Sequence, residues 1–231
     1  MNQPVQSWGR FGSTTVSAQQ RNRVLRNTYW LLALSMLPTV LGAWVGVATG
    51  ITASLGGVTG LVVFLAGAFG FMYAIHKTKD SALGVPLLLA FTFFMGLMLS
   101  RILQVALGFS NGASIIAMAA GGTGAIFFVL AGIASTTKRN FSGLGKFLFA
   151  GAILILLAAL ANAFFQIPAL ALTISALVVA IFSAFILYDI NRIVRGGEDN
   201  YITATLGVYL SVYNVFVGLV HLLLVFTGQR E

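Results

Sequence analysis

Cysteine is absent from this 231-residue chain, and five acids stand against thirteen lysines and arginines. The first absence excludes a disulfide framework, a thiol nucleophile and any cysteine-based zinc or iron–sulfur site, and it leaves the redox compartment open. The shortage of charge says more. Charged residues make up 8% of the chain and hydrophobic ones 58%, whereas a soluble domain fills about a quarter or more of its surface with charge. Such a chain is an integral membrane protein. Two histidines without cysteine argue against a buried zinc site, so neither metal nor cofactor is expected. The net charge of +8 then reads as a topology signal, not as a nucleic-acid footprint.

Seven apolar stretches are long enough to cross a hydrocarbon core, which takes about 20 residues of helix. They run approximately Thr28 to Ala48, Ser54 to Ala74, Ala82 to Val105, Ala113 to Ser135, Leu144 to Phe165, Ala169 to Asp189 and Ile202 to Phe226. Because the runs are continuously apolar and do not alternate, they predict helices and not barrel strands. The expected organisation is a polar, basic tail over residues 1–26 followed by one seven-helix domain over residues 27–231. The long apolar run after Arg26 reads as an uncleaved first span, since a secretory signal has a shorter core and a small-residue cleavage site.

Lys and Arg fall almost wholly at one end. Arg10, Arg21, Arg23 and Arg26 precede the first span, Lys77 and Lys79 lie in the second connection, Lys138, Arg139 and Lys146 around the fourth, and Arg192 and Arg195 in the sixth. The odd connections carry none. By the positive-inside rule the N-terminus is cytoplasmic and the C-terminus, after an odd number of spans, lies on the opposite side. The connections are too short to hold a separate domain, so any chemistry belongs to the bundle or its cytoplasmic rim. Of the four prolines, Pro168 reads as a helix start, whereas Pro38, well inside the first span, predicts a kink. Glycines four apart (Gly42 with Gly46, Gly56 with Gly60) and the GGTG of Gly121 to Gly124 read as close helix packing.

An ionisable residue in an apolar segment is expensive and therefore a candidate site. Asp189 is the one acid that adjoins a span. Arg192, three residues on, shares its helical face and is one candidate partner. The other lies on the seventh span, where Tyr209, Ser211 and Asn214 sit roughly 10–18 Å in from its start. Asp189, Ser211, Asn214 and Arg192 thus form a candidate gate or polar latch. Arg101 and His221 are outer-side polar candidates at similar depth, for which snorkelling and a hydrogen bond to a neighbouring helix are the plainer readings. Catalysis is not expected. Ser211 and His221 are about 15 Å apart along one helix and cannot pair within it, and an aspartyl protease needs a second intramembrane acid.

Three segments, VLRNTYWLLALS (Val24 to Ser35), LANAFFQIPALALTIS (Leu160 to Ser175) and above all GGEDNYITATLGVYLSVYNVFVGL (Gly196 to Leu219), resemble the Bax inhibitor family of seven-span membrane proteins, in its bacterial YccA-like branch. The resemblance covers nearly the whole chain. It implies six helices around a central seventh, in a bacterial inner membrane. It also implies a modulator or inhibitor of the membrane-bound ATP-dependent protease FtsH, with the N-terminal tail involved. Other branches of the family are pH-sensitive calcium leaks gated by aspartates on the sixth and seventh spans, which makes a calcium or cation leak the alternative. Asp189 matches the first of those aspartates. The second position falls on Ser211, which is not an acid, so a two-carboxylate latch is not expected. Saturable transport of a small solute is a weaker third possibility.

Overall fold

A computed structural model of the chain describes residues 18–52, 55 and 57–228. Arg10, Gly56, Arg230 and residues 1–17 of the expected tail lie outside the described residues. Seven helices account for nearly all of the rest: α1 (Ala18–Thr49), α2 (Gly57–Thr78), α3 (Gly84–Leu107), α4 (Gly112–Thr136), α5 (Leu144–Phe165), α6 (Pro168–Val194) and α7 (Tyr201–Thr227). No strand occurs among the described residues, and all seven helices are long and apolar enough to cross a membrane.

Two ends matter for the site. α1 starts ten residues before the expected Thr28, so Arg21, Arg23 and Arg26 ride on a helical extension of the first span. Arg21 reaches across to the Val194 carbonyl at the end of α6 (3.4 Å). α6 in turn runs five residues past the expected end at Asp189, which places the acid more than a turn inside the helix. Pro168 does open α6. Pro86 falls in the first turn of α3, where a missing N–H costs little. α1 continues through Pro38 to Thr49, with the Ser35 and Thr39 hydroxyls turned onto the carbonyls of Leu32 (2.7 Å) and Ser35 (2.8 Å).

The helices alternate up and down, and the connections that carry lysine and arginine gather at one end. There Asn200 donates to the Lys79 carbonyl (3.1 Å) and to Asp80 (2.9 Å), while Asn191 ties α6 to the α4–α5 connection through the Phe141 N–H (3.1 Å) and the Arg139 carbonyl (3.3 Å). At the other end Asn111 donates to the Thr227 carbonyl (2.5 Å) and Gln104 to the Gly46 carbonyl (3.2 Å).

α7 is the common neighbour, packing on α6, α4, α1, α3 and α2, whereas α5 leans on α6. The core around α7 includes Phe91, Met95, Ile186, Ile190, Val208, Tyr209 and Val215. Glycine contributes where backbones nearly touch. A Cβ on Gly42 would run into the Phe93 carbonyl oxygen, and one on Gly96 into that of Thr39, so α1 and α3 approach from both sides. Without a hydrophobic drive between helices in lipid, that contact area is what binds them. The GGTG segment differs from its expected packing role, because Gly121 and Gly124 have open space beside them and only Gly122 approaches a neighbour, Leu219.

Candidate functional site

α6 and α7 form a hairpin whose turn is fixed by local chemistry. Gly196 takes the left-handed conformation (φ 76°), and its N–H and that of Gly197 bond to the carbonyls of Ile193 (3.0 Å) and Arg192 (2.9 Å). This is a Schellman stop, which uses carbonyls the helix end would leave orphaned. Asn200 then caps α7, accepting from the N–H groups of Ile202 (2.9 Å) and Thr203 (3.2 Å) as an N-cap side chain should.

The turn settles which partner Asp189 takes. By swinging the chain back, it brings Glu198 against Arg192, and the two form an ion pair at 3.2 Å. The Arg192 Nε–H also donates to the Gly197 carbonyl (2.9 Å). Arg192 is therefore spent on its own turn, at the exposed rim, and not on Asp189. Glu198 also accepts from the Thr203 hydroxyl (3.0 Å), which couples the turn to the first turn of α7.

Asp189 instead faces α7. The Ser211 hydroxyl donates to its Oδ2 at 3.3 Å and also lies 3.1 Å from the Gly207 carbonyl. One hydroxyl hydrogen serves two acceptors, so the carboxylate receives at most a shared hydrogen bond from Ser211. Gly207 lies one turn before Ser211 on the same face, and a Cβ there would stand 3.5 Å from Oδ2. The absence of a side chain there lets the carboxylate lie close against the α7 backbone. Asn214 is on this face by spacing, yet its amide donates to the Leu210 carbonyl of its own helix (2.8 Å). It does not join the latch.

The opposite face of α7 carries a separate polar layer. The Tyr209 hydroxyl meets Thr39 of α1 at 2.9 Å, and the Tyr213 hydroxyl donates to the Met95 carbonyl of α3 (3.3 Å). Thr39 already gives its hydrogen to Ser35, so Tyr209 is the donor between the two. These bonds fasten α7 to α1 and α3 but do not reach Asp189.

The outer candidates are not brought together. Arg101 is exposed, with its guanidinium beside Gly60 of α2, while His221 sits 3.5 Å from Ser175 of α6. No group of three or more metal-ligating side chains occurs among the described residues. Sequence reading missed Gly207, Glu198 and Asn191. Asn191 lies past the end of the apolar run, Glu198 acts through the α6–α7 turn, and Gly207 depends on which face of α7 meets α6.

Comparison with known proteins follows the same lines. Residues 21–229 match the family model described as inhibitor of apoptosis-promoting Bax1. The chain is 40% identical over 202 residues to a protein of Escherichia coli K12 named modulator of FtsH protease YccA, covering 87% of this chain and 90% of that one. The corresponding protein of Escherichia coli O6:H1, at the same identity and coverage, is named inner membrane protein YccA. An uncharacterized protein of Neisseria meningitidis serogroup A is 38% identical over 218 residues, 93% of this chain and 96% of its own.

Proposed function

This chain belongs to the Bax inhibitor family, and from that premise we propose that it is a non-enzymatic modulator, and specifically an inhibitor, of the membrane-bound protease FtsH in the bacterial inner membrane. The observation that carries the reading is the near full-length similarity to the relative named as a modulator of that protease. One feature of the chain supports it. The basic end, taken as cytoplasmic by the positive-inside rule, carries the helical extension from Ala18 to Arg26, which presents Arg23 and Arg26 to solvent.

In this reading the polar N-terminal segment is the handle the protease engages, and the seven-helix bundle resists extraction. That segment is rich in Gln, Ser and Thr and carries Arg10. The test is co-purification of the protease with an affinity-tagged copy from solubilised membranes, using the full chain and a version lacking residues 1–17. The full chain is expected to retain the protease in stoichiometric amount and the shortened one to retain much less. Failure of the full chain to retain it would overturn the proposal.

A calcium leak finds less support. Asp189 offers a cation one carboxylate and one neighbouring hydroxyl, whereas calcium takes about six to eight oxygens.

A further inference from the structure

α4 and α5 are consecutive in the chain, and consecutive elements usually pack together. Here they do not. Both rest on α6 and share no substantial interface. The crevice beside α4 is lined by Ala125, Ile126, Val129 and Leu130 and by Ser183 of α6. From Ala125 to the end of α4 is roughly 17 Å at helical rise, close to half the hydrocarbon core of a bilayer at about 15 Å. α5 is apolar between Phe147 and Ala161, and Ile155 is its one buried residue.

The crevice leads toward a corner that is rich in unneutralised cations. Residues 137–147 contain Lys138, Arg139 and Lys146 and no acid, and all three are exposed. Arg195 joins them by donating to the Lys138 carbonyl. Among the described residues none of these four forms an ion pair, although Arg192, nearby on α6, is neutralised by Glu198. Asn191 holds the connection in place through the Phe141 N–H and the Arg139 carbonyl, so the cations are presented from an anchored loop.

We propose that this corner is a binding site for an anionic phospholipid, with the phosphate held by Lys138, Arg139, Lys146 and Arg195 and an acyl chain lying in the crevice between α4 and α6. Basic clusters above gaps between membrane helices suit such headgroups. The apolar wall and the cation corner follow one another along the same helix pair, so one lipid molecule satisfies both, whereas a soluble phosphate would satisfy only the second.

Native mass spectrometry of the full chain in detergent, with equal amounts of palmitoyl-oleoyl phosphatidylglycerol and the matching phosphatidylcholine, tests the site. The wild type is expected to retain one phosphatidylglycerol about tenfold more often than phosphatidylcholine. The triple variant K138Q/R139Q/K146Q loses that preference. Ala125→Phe, which fills the crevice and leaves the cations intact, weakens retention about fivefold. K77Q/K79Q, which removes two bases from a different corner of the same end, leaves retention unchanged. Far-ultraviolet circular dichroism and elution as a single species establish that each variant is folded. Three results would overturn the site: equal retention of the two lipids, an equal loss in K77Q/K79Q, or a chain dimer that Ala125→Phe abolishes while phosphatidylglycerol retention stays the same. The last would put a second copy in the crevice.

Discussion

The α1–α3 seam and the α6–α7 seam both depend on small residues, but they are closed in different ways. Between α1 and α3, Gly42 and Gly96 let backbone meet backbone, and no ionisable group intervenes. Between α6 and α7, Gly218 packs against Val178 and Val179 lower down, while at the level of Gly207 the space is given to the carboxylate of Asp189. The first seam is a fastening. The second holds an acid beside the backbone of α7, and an acid in an apolar segment is costly to keep.

The comparison is sharpest when the same change is made on both seams. Gly96→Ala drives a methyl into the backbone of α1, which cannot yield as a flexible side chain can. It is expected to destabilise the bundle by about 3 kcal/mol, the upper part of the range for overpacking, read as a lowered unfolding midpoint in detergent. Tyr209→Phe removes the hydrogen bond that α7 donates to Thr39 and should cost about 1 kcal/mol by the same measurement. Asp189→Asn keeps the shape and still accepts from Ser211, and it is expected to change stability by less than about 1 kcal/mol. Gly207→Ala meets only ordinary contact at 3.5 Å and gains helix propensity, so a change within about 0.5 kcal/mol is expected. A loss at Gly207 as large as that at Gly96 would erase the distinction between the seams. The smallest effect belongs to Arg192→Gln, which breaks an exposed ion pair with Glu198 and should move the midpoint by no more than about 0.5 kcal/mol.

Much of this was legible in the sequence because a bilayer simplifies the code. Each span announces itself as a continuous apolar run, and all seven were found with their types correct. The ends were harder. The apolar signal stops at Thr28, while the helix reaches back to Ala18 because Arg21 finds a carbonyl at the end of α6. At the other boundary, the apolar run stops at Asp189 but α6 continues to Val194, since Ile190 and Ile193 are buried there. Helical spacing and family resemblance offered both Arg192 and Ser211 as partners of Asp189, and the hydrogen bond in the structure comes from Ser211. The fate of Arg192 was not, because spacing along one helix is silent about a chain reversal at Gly196 that delivers Glu198 to it. Glycine spacing likewise identified the α1 side of its seam but misread GGTG, since sequence does not say which face of a helix meets a neighbour.

These seams matter for function only through what the bundle does as a whole. The proposed function has a bundle fastened at α1–α3 and α7 restrain FtsH. Its most direct test is the rate at which the purified protease degrades a model membrane substrate in proteoliposomes, alone, with the full chain, and with the chain lacking residues 1–17. Turnover is expected to be slower with the full chain and near normal with the shortened one. Equal turnover in all three would contradict it.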